Sequence, residues 1–193
     1  MFFHTYYTFL CILISISILI DMSKRESRNT IIDKVAQYLH WLTIPKQEFG
    51  HMPICPYLDT EMRNDMLYID IWYPTRNTFM DLMESFLLSS KNSALIVCPN
   101  THTIDYSEVS RKTIQSQITD LLRKNPNTDY LKCMIFSPYE DFEVAGVKTR
   151  SNAPYFLINV APTKQLGKSH KDLQKTKYFQ NFTDDEKKRL NVK

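Results

Sequence analysis

Glycine is scarce in this chain: three occur in 193 residues. Neither a Gly-rich phosphate loop nor a dinucleotide fingerprint can be written from them, which excludes the nucleotide sites that depend on such loops. The four cysteines, Cys11, Cys55, Cys98 and Cys133, form no C-x-x-C pair, and no histidine stands at zinc-finger spacing. This usage predicts reduced thiols in a cytosolic setting rather than a disulfide framework, and leaves a zinc site only to residues distant in sequence. Neither sign of charge is in excess: 24 Lys and Arg against 21 Asp and Glu leave +3, too little to mark a nucleic-acid binder. Internal repeats and low-complexity linkers are absent from the sequence.

What is present suits one ordinary core, with 43% hydrophobic and 12% aromatic residues. The charge is unevenly placed. From Ala161 onward Lys164, Lys168, Lys171, Lys175, Lys177, Lys187, Lys188, Arg189 and Lys193 face Asp172, Asp184, Asp185 and Glu186, so the tail is basic and the body slightly acidic.

The first twenty residues, ending "FLCILISISILI", are barely long enough to cross a bilayer core of ~30 Å. Three readings stay open for residues 1–21: a membrane anchor, an extension from an upstream start ahead of Met22, or a poor signal peptide lacking a cleavage signal. Lys24, Arg25 and Arg28 would hold an inserted segment with the domain on the cytoplasmic side; a start at Met22 gives a cytoplasmic protein. Residues 22–193 are expected to form one domain. The sequon Asn181-Phe182-Thr183 would then carry no glycan.

Apolar spacing predicts a helix over 29–42, ended by Pro45, with Thr30 and Asp33 as its capping box. "MLYIDIWY" alternates as a half-buried strand, with Leu67, Ile69, Ile71 and Tyr73 on one face and Tyr68, Asp70 and Trp72 on the other. A helix carries Phe79, Leu82, Met83 and Phe86 behind Asn77 or Thr78 as cap, and "ALIVC" at 94–98 reads as a central strand. A helix with Ile114, Ile118 and Leu122, capped at Asp105 or Ser107, precedes strands at 131–136, near "FEVAG" and at 155–160. Thr183 and Glu186 cap a terminal helix. The fold class is α/β or α+β, one mixed sheet with helices packed on it, the final strands adding antiparallel edges.

His40-Trp41 before "ICPY", then "LIVCP", "MIFSPYEDFEVAG" and "TRSNAPYFLINV", resembles a bacterial domain family of unknown function whose motifs run Trp, Cys-Pro-Phe, His-Pro, Phe-His-Pro-x-Tyr-x-Phe-Ala-Gly and Arg-Ser-Pro-Tyr-Pro. The likeness spans about Trp41 to Val160. Matching positions are Trp41, Cys55, Pro56, Pro99, Phe136, Pro138, Phe142, Ala145, Gly146, Arg150, Ser151 and Pro154; Cys98 and Ser137 stand where the family has histidine, and "VKT" shortens an insertion. The resemblance implies no established activity.

Two cysteines and one polar loop carry the chemistry the sequence offers. Cys55 and Cys98, each before a proline, are candidate catalytic or redox thiols, or else small packed hydrophobes. Arg150 and Ser151 are candidate ligand-binding groups, a guanidinium beside a hydroxyl suiting carboxylate or phosphate. His51 and His102 are loop residues, Glu140, Asp141 and Glu143 a clustered turn, and Tyr178, Phe179 and Phe182 interleave with basic residues as in single-strand binders. The leading expectation is a domain binding a small anion near Cys55 and Arg150. A Cys-dependent or metal-assisted enzyme on a small substrate and an interaction protein using the basic tail are the alternatives; the cofactor and partners are left unspecified beyond membrane association through residues 1–20.

Overall fold

The computed structural model describes residues 26–100, 106, 109, 111–139, 141–144 and 147–192. In chain order these give α1 (Arg28–Thr43), β1 (Pro45–Lys46), a 3-10 turn (Gln47–Phe49), β2 (Met52–Pro53), α2 (Leu58–Arg63), β3 (Leu67–Ile71), α3 (Phe79–Leu88), β4 (Ser93–Cys98), α4 (Arg111–Lys124), β5 (Leu131–Phe136), β6 (Asp141–Val144), β7 (Val147–Arg150), β8 (Phe156–Pro162), α5 (Thr163–Gln174) and α6 (Asp184–Arg189).

One mixed sheet, ordered β3-β4-β8-β5, organises the fold. β3 and β4 are parallel, while β8 runs antiparallel to both β4 and β5. β8 is therefore interior, not an added edge. The reason lies in its sequence: "FLINVAP" is apolar on both faces, which suits a strand covered above and below. Two two-stranded ribbons, β1-β2 and β6-β7, form separately from this sheet.

Helices cover both faces. Phe79, Leu82, Met83 and Phe86 of α3 with Ile114, Ile118 and Leu122 of α4 bury one face, against Ala94, Ile96, Cys98, Ile135, Phe156 and Ile158. Ile31, Val35, Tyr38, Leu39 and Leu42 of α1 bury the other, against Leu67, Ile71, Leu95, Val97 and Leu157. The alternation read in β3 holds: Ile69 and Tyr73 pack on the α1 face, Tyr68 and Trp72 on the other.

Caps fix the helix starts. α1 is capped by Ser27, whose hydroxyl accepts from the Thr30 amide at 3.1 Å, so the helix begins before the expected Thr30 box. Thr78 caps α3 in a reciprocal box with Asp81, and Thr183 does the same for α6 with Glu186. The expected caps of α4, Asp105 and Ser107, lie outside the described residues, as do His102, Glu140, Ala145 and Gly146. Among the described residues no helix is long and apolar enough to cross a membrane; residues 1–25 lie outside them.

A third cluster joins the C-terminal segment to the 3-10 turn. Phe49 packs with Tyr178, Phe179 and Phe182, all four buried. These tail aromatics are inside the fold, so they offer no rings for base stacking.

Candidate functional site

Helical periodicity builds one wall of the site. Lys34, Gln37, Tyr38 and Trp41 stand at i, i+3, i+4 and i+7 of α1 and share one face, beside its core stripe. The opposite wall is the segment after β7. There Asn152 takes a left-handed backbone (φ 52°), a conformation asparagine tolerates better than other side-chain-bearing residues. That turn sends Ser151 and Ala153 into the core and leaves Asn152 exposed, with Pro154 half-buried. Together Lys34, Gln37, Tyr38, Trp41, Asn152 and Pro154 line a groove of about 270 Å³.

Its two ends differ. At one, the Glu26 carboxylate accepts from both the Lys34 ammonium and the Tyr155 hydroxyl, and these contacts hold the Glu26 carboxyl below its usual range. Lys34 also lies 5.7 Å from the centre of the Tyr155 ring, so its charge is anchored at the groove's mouth. At the other end Trp41 stacks with Tyr38 at 5.9 Å between centroids, and Lys46 sits 4.7 Å over the Trp41 ring.

Tyr38 joins this groove to the two segments singled out in the sequence. Burial pushes its phenol up to about 12, the Ser151 hydroxyl beside it acting against that rise and the neighbouring Cys55 adding to it. Cys55 itself is exposed by surface, yet the atoms crowding its sulfur make desolvation the largest influence and push the thiol up. The proximity of Glu61 pushes the same way, while hydrogen bonds from the backbone at Leu58 and Tyr57 partly oppose it. Its backbone is fixed at both ends: the Cys55 amide donates to Leu42 and its carbonyl accepts from Leu58, each at 3.2 Å.

Cys98 does not join it. It is fully buried at the end of β4 on the α3 and α4 side, and desolvation raises its thiol strongly. The Cys55 loop packs through Ile54 on the α1 side, so the sheet separates the two cysteines. Cys55, Cys98 and Cys133 are free thiols, and Cys11 lies outside the described residues.

Ser151 reaches the site only indirectly, buried behind Tyr38. Arg150 ends β7 in register with Asp141, and its side chain lies outside those described. His51 is exposed, with its amide donating to Lys46 at 3.0 Å. Among the described residues no group of three or more His, Cys, Asp or Glu is placed to hold a metal ion. Lys34, Gln37 and Tyr38 were not singled out from sequence. The signal was the polar i, i+3, i+4, i+7 set flanking the apolar stripe of α1.

No family model matches this chain, and no curated protein or solved structure matches it either.

Proposed function

We propose that this chain is a binding domain for a small anionic ligand with an apolar body, held in the groove between α1 and residues 152–154. The observation that carries the reading is the juxtaposition of Gln37, Asn152 and the Glu26-paired Lys34, which offer donors, with the apolar surfaces of Trp41, Tyr38 and Pro154. At about 270 Å³ the space falls just below the range of drug-sized sites, so the ligand is small. A Cys-dependent enzyme is less well supported, because a nucleophilic thiol needs a lowered pKa and both Cys55 and Cys98 are raised. The binding site also moves: Lys34 and Asn152 take the role that the sequence assigned to Arg150 and Ser151.

Trp41 and Trp72 are the chain's two tryptophans. In a Trp72→Phe background, titration of Trp41 fluorescence with small aryl carboxylates and aryl phosphates tests the reading. A saturable change that weakens about tenfold in Lys34→Gln supports it, a charge-assisted hydrogen bond contributing ~1.5–3 kcal/mol. A linear, unsaturated response, or one indifferent to Lys34, contradicts it.

A further inference from the structure

A basic face runs along α5. Lys164, Lys168, Lys171 and Lys175 follow at spacings of four, three and four, so all lie on one face of this helix and its C-cap, and all are exposed. They form a line of ~16 Å at the helical rise. Lys175 is paired with Asp172 at 2.8 Å, whereas Lys164, Lys168 and Lys171 enter no ion pair among the described residues. The other face holds the helix to the body: the Gln165 amide donates to Glu61 at 2.8 Å, and the Tyr57 hydroxyl donates to the Ser169 carbonyl at 3.2 Å.

Gly167 interrupts this line. It is one of three glycines in the chain, stands mid-helix on the lysine face, and an added Cβ would meet no atom within 4 Å. A glycine there weakens the helix and has no packing reason within the fold. It leaves the α5 backbone bare between Lys164, Lys168 and Lys171, a gap in the row of side chains where a partner can approach the main chain closely.

We infer that the Gly167 gap and its lysines are a docking surface for an acidic amphipathic helix of another protein, an apolar side chain entering the gap and carboxylates meeting the three lysines. Charge complementarity with regular spacing selects a helix, in which acidic residues repeat at the same intervals. Three observations argue against the other polyanions. The exposed face of α5 carries no apolar side chain to enter a bilayer. α1, which the apolar N-terminal residues precede in sequence, starts beside Asp70 at the opposite end of the sheet from the start of α5. The tail aromatics are buried, and the whole chain is only +3, which gives a nucleic acid neither stacking rings nor a broad basic surface.

The test is fluorescence anisotropy of the full chain with a labelled helical peptide of about 20 residues, bearing glutamates at matching spacing and one leucine between them. Saturable binding that weakens about tenfold from low to physiological salt is expected. It should fall at least tenfold in the Lys164→Gln, Lys168→Gln, Lys171→Gln triple variant. Gly167→Ala separates docking from structure: removing a mid-helix glycine should raise the melting temperature by roughly 2–4 °C while weakening the peptide about fivefold. No binding to the peptide, tighter binding to a DNA duplex or to phosphatidylserine vesicles, or a Gly167→Ala variant that binds the peptide as well as the parent would overturn the inference.

Discussion

The Tyr178 hydroxyl donates to the Ile54 carbonyl at 2.6 Å, across 124 positions of sequence, and so ties the C-terminal segment to the loop that carries Cys55. Tyr178 is buried, as are its ring neighbours Phe49, Phe179 and Phe182. Tyr178→Phe keeps the packing and removes the donor, leaving the Ile54 carbonyl without this partner. The expected cost is ~1–2 kcal/mol, read as a lower denaturation midpoint with unchanged slope. An unchanged midpoint would show that this tie contributes nothing.

Gly50 presses against the same segment. Its backbone is left-handed (φ 63°), and a Cβ placed there would stand 2.1 Å from the Lys177 carbonyl oxygen. Gly50→Ala adds both left-handed strain and a clash with main chain that cannot turn aside. A loss of at least ~2 kcal/mol is expected, with earlier proteolysis of the segment after α5. Wild-type stability in Gly50→Ala would mean that the close approach is not maintained in solution.

Cys55 is exposed but its thiol is raised, so at neutral pH it is protonated to a greater degree than an ordinary cysteine. Alkylation of the folded protein at pH 7 should therefore be slower than that of an unstructured cysteine peptide, and its rate should go on climbing above pH 9. Cys98 and Cys133, both buried, should label only on unfolding. Mass spectrometry of the labelled chain distinguishes the three. Rapid labelling of Cys55 at pH 7 would reinstate the thiol-enzyme reading.

Tyr38, Tyr106, Tyr155 and Tyr178 all hold their phenolic protons more tightly folded than unfolded, burial being the first cause in each. Unfolded phenols titrate near 10.0, the folded Tyr38 near 12. Between those values the folded state binds more protons than the unfolded one, so stability must fall as pH rises. This contribution is fully present below about pH 9 and declines above about pH 10. Denaturation midpoints that stay level to pH 11 would contradict it.

The strands and the amphipathic helices were legible because each carries an apolar period: the two faces of β3 and the cores of α1, α3 and α4 lie where the spacing puts them. α5 was not, since it buries no residue and has no apolar stripe to read. β7 was missed for a related reason. "VKTR" shows no strong alternation, and its pairing with β6 comes from the hairpin. The interior position of β8 depends on a long-range choice between two partners, β4 and β5, that no local pattern records. Of the residues around the proposed site, Cys55 and Ser151 stood out in the sequence and both lie beside Tyr38, whereas the groove depends on Asn152 and Pro154 standing across from α1, a long-range placement that no local pattern records.

The central claim is the location of a binding site, and amide chemical-shift mapping tests it for any member of the ligand class. The uniformly labelled chain would be titrated with a set of small aryl carboxylates and phosphates. The account predicts saturable shifts clustered at Lys34, Gln37, Tyr38, Trp41, Asn152 and Ala153, diminished in Lys34→Gln. Shifts centred instead on the Cys98 end of the sheet, or none that saturate, would contradict it.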